Sequence, residues 1–414
     1  MALAVLALAA PFATHAVAGD VAPARVTPHM LETALQREVA RGAPGLSAAI
    51  ATRRGVVWTG VAGQADVQRD VPVDEAHVFG IGSITKVFVV VTVLQLAEEG
   101  RIDLQAPIAS LLPPAATAGI ANADTATVAQ LMDHSAGIPS WEDDPVWIRE
   151  GRGRDLQVAQ RWGEQQTLDY IRGPAHPPLH VPGSAYSYAN THHTLLGLLI
   201  EQVTGQSAAS EVRRRILQPL GLDATWLEGF EPGHPERLPR RYHYATADFV
   251  RDAGVAAPFA EVRPGLIDVS ASNLSVEWAA GGMVSSPRDL AQFLRALRDG
   301  HLLKPQSLRF MQTWTLPAGA GSQVGHGLFR GERDGVAMIG HTGSVLGFTG
   351  YAHWQEDGDA IVVVLSNVGT MHSGQVPVSA ASVGRDSEFA SLARRYAAQA
   401  GSPGAVLDQA AESP

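Results

Sequence analysis

The hydrophobic residues near the amino terminus follow a helical period first and a strand period next. Over 28–41 they recur three and four positions apart, which predicts a helix that ends before Gly42 and Pro44. Two strand-like runs follow at 46–51 and 56–61, and a short polar turn with one glycine separates them. This spacing predicts an antiparallel hairpin.

A strongly apolar helix is predicted at 83–99, because a glycine-rich lead precedes it and Gly100 stands where helices commonly end. Further elements follow from the same periods. Helices are predicted at 123–133, 191–203, 207–217, 287–298 and 387–399, and strands at 336–339, 347–354 and 360–365. The last strand is apolar throughout, as in a strand buried on both faces.

Both ends of the chain therefore supply strands, and the middle supplies helices. We expect an α+β fold in which an antiparallel sheet flanked by helices, from about 25–100 and 276–400, carries an inserted, mostly α-helical region at about 101–275. Together these parts form one domain over 20–400, with a cleft where they meet. Residues 401–414, rich in Gly, Pro, Ala and Ser, are expected to be a flexible tail.

Composition narrows the function. The 414 residues are 45% hydrophobic and 17% charged, which is the balance of a globular protein. The formal net charge of −10 argues against nucleic acid as a partner. The chain has no cysteine, which excludes a disulfide framework, a thiol nucleophile and a cysteine-ligated zinc site.

The first residues resemble a targeting segment. Residues 1–10 are apolar, and Ala16 and Ala18 fit a signal-peptidase site, so we expect a signal peptide at 1–19 and a periplasmic or secreted protein. The usual basic residue before the apolar run is missing, and the alternative is an unstructured Ala-rich tail. We expect no membrane span in the mature form, because no stretch is long enough.

Several common site motifs are absent from the sequence. It contains no G-x-S-x-G, no H-E-x-x-H, no dinucleotide fingerprint and no phosphate loop. His192 and His193 are adjacent on a predicted helix and are expected on different sides of it. We therefore expect neither a metal nor a cofactor.

One short motif has the chemistry of a nucleophile. Ser83 begins a predicted helix and Lys86 follows three positions later, so the two side chains lie about 5–6 Å apart at Cβ on one face. An attacking serine needs a neighbouring base, and the helix amino terminus offers N–H donors to a developing oxyanion. The simpler interpretation is a helix cap followed by a surface cation.

The use of lysine favours the catalytic interpretation. Lys86 and Lys304 are the only lysines among 31 Lys and Arg residues. Arginine keeps its proton in proteins, whereas a buried lysine can lose it. A lysine retained one turn after Ser83 therefore indicates proton chemistry.

Two further segments carry polar groups toward a cleft. Tyr188 and Asn190 lie two positions apart on a loop, where a phenol can move a proton and an amide can hold a carbonyl. His341, Thr342, Gly343 and Ser344 lie between two strand candidates, and Gly343 permits close backbone approach. Taken alone, each segment fits an ordinary packed loop or a strand-edge turn better.

In this order the three motifs resemble the serine β-lactamase and penicillin-binding protein superfamily, specifically its class C-like branch. Three further segments are similar to that family and lie at 99–104 (EGRIDL), 131–139 (LMDHSAGIP) and 280–290 (AGGMVSSPRDL). The resemblance covers nearly the whole chain and implies a β-lactamase/transpeptidase-like fold.

The resemblance also implies roles for the motif residues. Ser83 would be acylated, Lys86 would activate it alone or with Tyr188, and Tyr188 would carry a proton to the leaving group. Asn190 would order Lys86 and the substrate amide. The N–H groups of Ser83 and Ser344 would bind the oxyanion, and water would release the acyl group. Thr342 could bond a substrate carboxylate.

The third motif departs from class C β-lactamases, which carry K-T-G where this chain has H-T-G at His341. A histidine near its usual pKa is only partly charged at pH 7, so it holds a carboxylate less well than lysine does. Within the family it resembles, H-x-G occurs in D-Ala-D-Ala carboxypeptidases, D-aminopeptidases and some esterases. The resemblance therefore implies a serine hydrolase, like a carboxylesterase or a D-Ala-D-Ala carboxypeptidase, whose small-molecule substrate is an ester or a D-amino-acid amide or peptide. A class C-like β-lactamase and a non-catalytic peptidoglycan-binding module are the alternatives, and the sequence leaves the oligomeric state open.

Overall fold

Strands from the two ends of the chain meet in one antiparallel sheet. The computed structural model describes residues 25–319, 321–333 and 335–401. Within these ranges the strands are β1 (Gly45–Thr52), β2 (Gly55–Asp66), β3 (Val71–Pro72), β4 (Phe79–Gly80), β5 (Trp226–Leu227), β6 (Tyr242–Tyr244), β7 (Ala260–Arg263), β8 (Leu266–Asp268), β9 (Met283–Ser285), β10 (Leu316–Pro317), β11 (Ser322–Val324), β12 (Phe329–Arg333), β13 (Val336–Val345), β14 (Phe348–Gln355), β15 (Ile361–Ser366) and β16 (Val368–Gly369).

The helices of the described chain are mostly short between the two ends of the sheet. They are α1 (Pro28–Ala40), α2 (Thr85–Glu98), α3 (Ile108–Leu111), α4 (Pro114–Thr117), α5 (Val128–Met132), α6 (Pro145–Trp147), α7 (Asn190–Thr204), α8 (Ala208–Val212), α9 (Gln218–Leu220), α10 (Ala247–Asp252), α11 (Trp278–Gly281), α12 (Pro287–Arg298), α13 (Pro305–Met311), α14 (Ala380–Asp386) and α15 (Glu388–Gly401). Tighter 3₁₀ turns lie at Gly82–Ile84, Trp141–Asp143, Gln166–Ile171 and Pro235–Arg237, and wider π turns at Ile148–Arg152 and Arg213–Leu217.

The main sheet has nine strands in the described chain, in the order β10-β11-β12-β13-β14-β15-β1-β2-β3. At its centre β15 pairs with β1, and β1 pairs with β2 as the predicted hairpin. Successive residues of β15 enter different cores: Val362 and Val364 pack with α1 and α15, whereas Val363 and Leu365 pack on the side of α2 and α12. The sheet is thus covered by helices on both faces, and the predicted α+β fold is confirmed.

Several predicted elements have different bounds in the structure. The helix predicted at 123–133 is only α5, because Thr127 caps it in a reciprocal box with Gln130 and a turn with left-handed backbone at Asn122 precedes it. The structure divides the helix predicted at 207–217 into α8 and a π turn that follows directly after it. The strand predicted at 336–339 continues to Val345 as β13. Ser83 lies in a 3₁₀ turn ahead of α2 rather than in α2 itself.

The middle of the chain also contains strands that were not predicted. β6, β8 and β7 form a small sheet with β16, which is not hydrogen-bonded to the main one. The domain boundaries near 100 and 275 stay a prediction. The predicted signal peptide at 1–19 and the tail beyond Gly401 lie outside the described residues. Among the residues that are described, no helix is long and apolar enough to cross a membrane.

Candidate active site

The turn that carries Ser83 is fixed by backbone contacts on both sides. Before it, β4 pairs with β9, and the amide of Ile81 donates to the carbonyl of Met283 at 2.9 Å. Gly82 has a φ of +53°, and a Cβ at this position would lie 2.6 Å from the backbone nitrogen of Ser344. Only glycine combines this left-handed conformation with so close an approach.

The sequence had suggested a strand-edge turn at His341. In the structure this segment lies within β13, along one edge of that strand. β12 pairs with β13 only as far as Gly340, so 341–345 has no strand partner on that edge within the described chain. The turn at Ser83 lies there instead. A Cβ on Gly343 would lie 1.9 Å from the carbonyl oxygen of Ile81 and 3.1 Å from the nitrogen of Ser83. The close approach at Gly343 is thus to the backbone of the Ser83 turn, and it brings the amides of Ser83 and Ser344 near each other.

Lys86 is completely buried on the first turn of α2. Its Nζ lies 3.0 Å from the Oγ of Ser83, 2.7 Å from the Oδ1 of Asn190 and 2.5 Å from the carbonyl oxygen of Ala280. Burial lowers the pKa of Lys86 from its ordinary value to about 7, although two nearby carboxylates oppose the shift. A lysine near pKa 7 is a base at neutral pH in a large fraction of molecules.

Tyr188 lies on the other side of Ser83. Its hydroxyl donates to the Oγ of Ser83 at 2.7 Å, and its ring packs 5.0 Å from the Nζ of Lys86 and against the imidazole of His134. Burial raises the pKa of Tyr188 well above its ordinary value, more than the bond to Ser83 lowers it. The phenol is therefore protonated at neutral pH and acts as a donor.

A buried ionic network supports Asn190 from behind, and sequence reasoning missed it. The Nδ2 of Asn190 donates to Glu142 at 2.6 Å, which orients the amide oxygen toward Lys86. Arg152 bonds Glu142 and also Glu277, the latter at 2.8 Å. Burial raises the pKa of Glu277 to about 7, despite the charge of Arg152. In sequence these residues look like ordinary surface charges, so no signal marked them.

His341 is buried, with 4% of its surface exposed, whereas Thr342 is exposed. The Nδ1 of His341 lies 2.5 Å from the carbonyl oxygen of Thr342, and the Nε2 of His341 has no hydrogen-bond partner in the described structure. Burial first, and the charge of Lys86 second, lower its pKa to about 3. The expectation of a partly charged histidine is therefore wrong: His341 is neutral at pH 7.

A cavity of about 380 Å³ opens above Ser83. Its wall includes residues from all three motifs, namely Ser83, Tyr188, His341, Thr342, Gly343 and Ser344. Tyr186 and Phe329 add aromatic surface, with ring centroids 6.3 Å apart. A larger cavity of about 790 Å³ lies elsewhere, between Asp66 and Asn273, but none of the motif residues lines it. The chemistry therefore points to the smaller cavity.

The structure gives no support to a metal site in its described residues, where no group of three or more possible ligands is found. The histidines at 192 and 193 are both buried on α7, and the ring of each lies 5.2 Å from the ring of His134.

A serine that is hydrogen-bonded to a buried lysine and to a tyrosine defines a class of site seen in hydrolases of the β-lactamase type. Comparison with known proteins agrees with this class. Residues 30–378 match the family described as Beta-lactamase, and the chain belongs to that family.

Similar proteins include an esterase, an amidohydrolase and an amidase. Esterase EstB of Burkholderia gladioli is 29% identical over 278 residues, which are 63% of this chain and 67% of that protein. A D-stereospecific amidohydrolase from Streptomyces sp. has 32% identity and a TM-score of 0.70, covering 82% of this chain and 94% of that one. D-amino acid amidase from Ochrobactrum anthropi SV3 has 27% identity and a TM-score of 0.72, covering 88% and 96%.

A shorter similarity extends to protein flp of Staphylococcus aureus, with 28% identity over 198 residues. The match covers 47% of this chain but only 37% of that protein.

Proposed function

We propose that this protein is a serine hydrolase that forms an acyl-enzyme on Ser83 and acts on esters or on D-amino-acid amides and peptides. The observation that carries the proposal is the double contact of the Ser83 oxygen, 3.0 Å from the amine of Lys86 and 2.7 Å from the hydroxyl of Tyr188. A nucleophile placed between a base and a proton donor is what acyl transfer needs.

The three contacts of Lys86 fit a neutral amine. Its two N–H groups donate to Asn190 and to the carbonyl of Ala280, and its lone pair is left to accept the proton of Ser83. The Ser83 oxygen then forms a bond to the substrate carbonyl carbon while its proton passes to Nζ. The carbonyl oxygen gains the negative charge and accepts hydrogen bonds from the amides of Ser83 and Ser344.

Tyr188 completes the first half of the reaction. Its protonated hydroxyl donates to the departing oxygen or nitrogen as the bond to the carbonyl carbon breaks, and the proton held by Lys86 restores it. In the second half, water attacks the acyl group and gives up its proton to the same base, and Ser83 leaves as a hydroxyl. Proton and bond counts balance without a cofactor.

Charge in the cavity bears on the substrate. Carboxypeptidase and β-lactamase substrates carry a carboxylate next to the scissile bond. His341 is neutral, and Lys86 is occupied by three partners, so Thr342 is left to bond such a group without a fixed cation. This balance favours esters and amides that lack such a carboxylate, in line with the esterase and amidases among the similar proteins. A class C-like β-lactamase is the second candidate.

The test is a substrate panel with Ser83→Ala as its control. The panel contains p-nitrophenyl esters, D-amino-acid amides, a D-Ala-D-Ala peptide and a cephalosporin. We expect turnover of esters or D-amides to exceed turnover of the two carboxylate-bearing substrates, and we expect Ser83→Ala to lose all of it. Unchanged turnover in Ser83→Ala would sink the mechanism, whereas a wild-type protein that turns over nothing would favour the non-catalytic binding module.

A further inference from the structure

A second cavity of about 240 Å³ adjoins the one at Ser83. Four residues line both spaces, namely Ser322, Phe329, Thr342 and His353. We call the second cavity the arginine arm, because Arg333, Arg385 and Arg394 line it and none of them lines the first.

The two cavities share a floor and a roof. The floor is the face of β14 that carries Thr349, Tyr351 and His353, where the last two rings stack at 4.1 Å. The roof is formed by α14 and α15. Ser379 and Ala381 cover the part at Ser83, whereas Arg385 covers the arm. Tyr351, which lines the arm, pairs with Thr342 across β14 and β13. The arm therefore lies next to the part of β13 that carries the His341 motif.

The arm combines a cation with apolar walls. Asp386 pairs with Arg385 at 3.0 Å and with Arg333 at 3.3 Å. Arg394 is half-buried on α15 and makes no hydrogen bond or ion pair with any residue that the structure describes. The walls around it include Val336 and Met338, and also Glu332, whose carboxylate pairs with Arg330 at 4.0 Å. A guanidinium in such a place favours a carboxylate, which it can bind through two parallel hydrogen bonds.

The position of Tyr188 indicates which part of a substrate reaches the arm. The leaving group departs on the side of Tyr188, because that hydroxyl protonates it. The ring centroid of His341 lies 6.4 Å from that of Tyr188, and the ring centroid of Phe329 lies 5.0 Å from that of His341. Phe329 lines both cavities, so a leaving group that extends along it enters the arm.

We propose that the arginine arm binds a carboxylate at the far end of the leaving group, with Arg394 as its main contact. The substrate class is an ester or amide whose alcohol or amine carries an acid on an apolar spacer, several bonds from the scissile carbonyl. This inference rests on the proposed acyl-enzyme function. It differs from recognition of a carboxylate next to the scissile bond, for which the first cavity supplies no arginine.

The experiment compares two aryl acetates that differ only in the charge of the leaving group. They are 3-(4-acetoxyphenyl)propanoate and its neutral carboxamide, and phenol release reports both. We expect wild type to favour the acid by about tenfold in kcat/KM, the scale of one charge-assisted hydrogen bond. In Arg394→Gln the preference falls to within about twofold, mainly through KM, while turnover of the carboxamide is kept. Arg395→Gln, the next position on α15, is the matched control and keeps the preference.

The outcomes separate the arm from the proposed mechanism. Equal kcat/KM for the two acetates in wild type, or a full acid preference in Arg394→Gln, overturns the arm as an anion site. Arg394→Lys keeps the charge, and we expect it to keep part of the preference. Activity that survives in Ser83→Ala overturns the acyl-enzyme proposal instead, because that variant leaves the arm intact.

Discussion

Glu142 should set the pH at which Lys86 becomes a base, although it touches neither Lys86 nor Ser83. It reaches Lys86 through Asn190, by hydrogen bonds of 2.6 and 2.7 Å. Two such bonds joined through one amide group put the two charges about 7 Å apart. The negative charge of Glu142 stabilises protonated Lys86 and so opposes the lowering of its pKa by burial.

The size of this effect follows from Coulomb's law. At about 7 Å and an effective dielectric constant of about 20, the attraction is about 2 kcal/mol, or between one and two pKa units. Glu142→Gln removes the charge but keeps an oxygen that can accept from Asn190. The pKa of Lys86, about 7 in the wild type, should then fall. A base with a lower pKa loses its proton at lower pH, so the acid limb of the kcat/KM profile moves toward acid.

The assay is the pH dependence of kcat/KM on a neutral aryl acetate, whose acid limb reports the base of the free enzyme. We expect a wild-type midpoint near 7 and a midpoint at least one unit lower in Glu142→Gln. Glu150→Gln is the matched control, because that nearby carboxylate bonds Tyr170 and not Asn190. An acid limb that stays in place in a folded Glu142→Gln protein, or moves toward base, would refute the reasoning.

Three further results are expected. Lys86→Arg keeps the charge and removes the base, so steady-state kcat should fall by about a thousandfold or more, and wild-type rates would make Lys86 a structural cation. Tyr188→Phe removes the proton donor and should slow amides, which have a poor leaving group, more than aryl esters, as the ratio of their kcat/KM values shows; an unchanged ratio contradicts that role. Burial lowers the pKa of His192, His341 and His353 to about 3, below the value of about 6.5 in an unfolded chain. Below pH 6.5 the unfolded chain therefore binds more protons than the folded protein does. Each such histidine lowers the free energy of unfolding by about 1.4 kcal/mol per pH unit as the pH falls toward 3. Urea midpoints at pH 7, 6, 5 and 4 should drop steeply, and a flat profile would show that these rings titrate normally.

Much of the fold was predictable because its signals are local. α12 has the bounds that its apolar period predicts, from Pro287 to Arg298, with a serine cap and a proline at its start. β15 is buried along its whole length, as its apolar run predicts. By contrast, the edge of β13 at His341 could not be inferred, because what ends the pairing with β12 is the turn at Ser83 occupying that edge.

The site shows the same division. Spacing alone put Ser83 and Lys86 on one turn, and the structure has them 3.0 Å apart. The charge of His341 was misjudged because burial, which lowers its pKa, depends on neighbours distant in sequence. Glu142 and Arg152 were missed for the same reason, since a buried ion pair in the fold has no pattern along the chain.

The most direct test of the account is the mass of the protein during turnover. A wild-type sample quenched with acid in the steady state on an aryl acetate should carry one acetyl group, on the peptide that contains Ser83. The same quench of Ser83→Ala should show no added mass and no turnover. Turnover without an adduct on Ser83, or an adduct that persists in Ser83→Ala, would contradict the account.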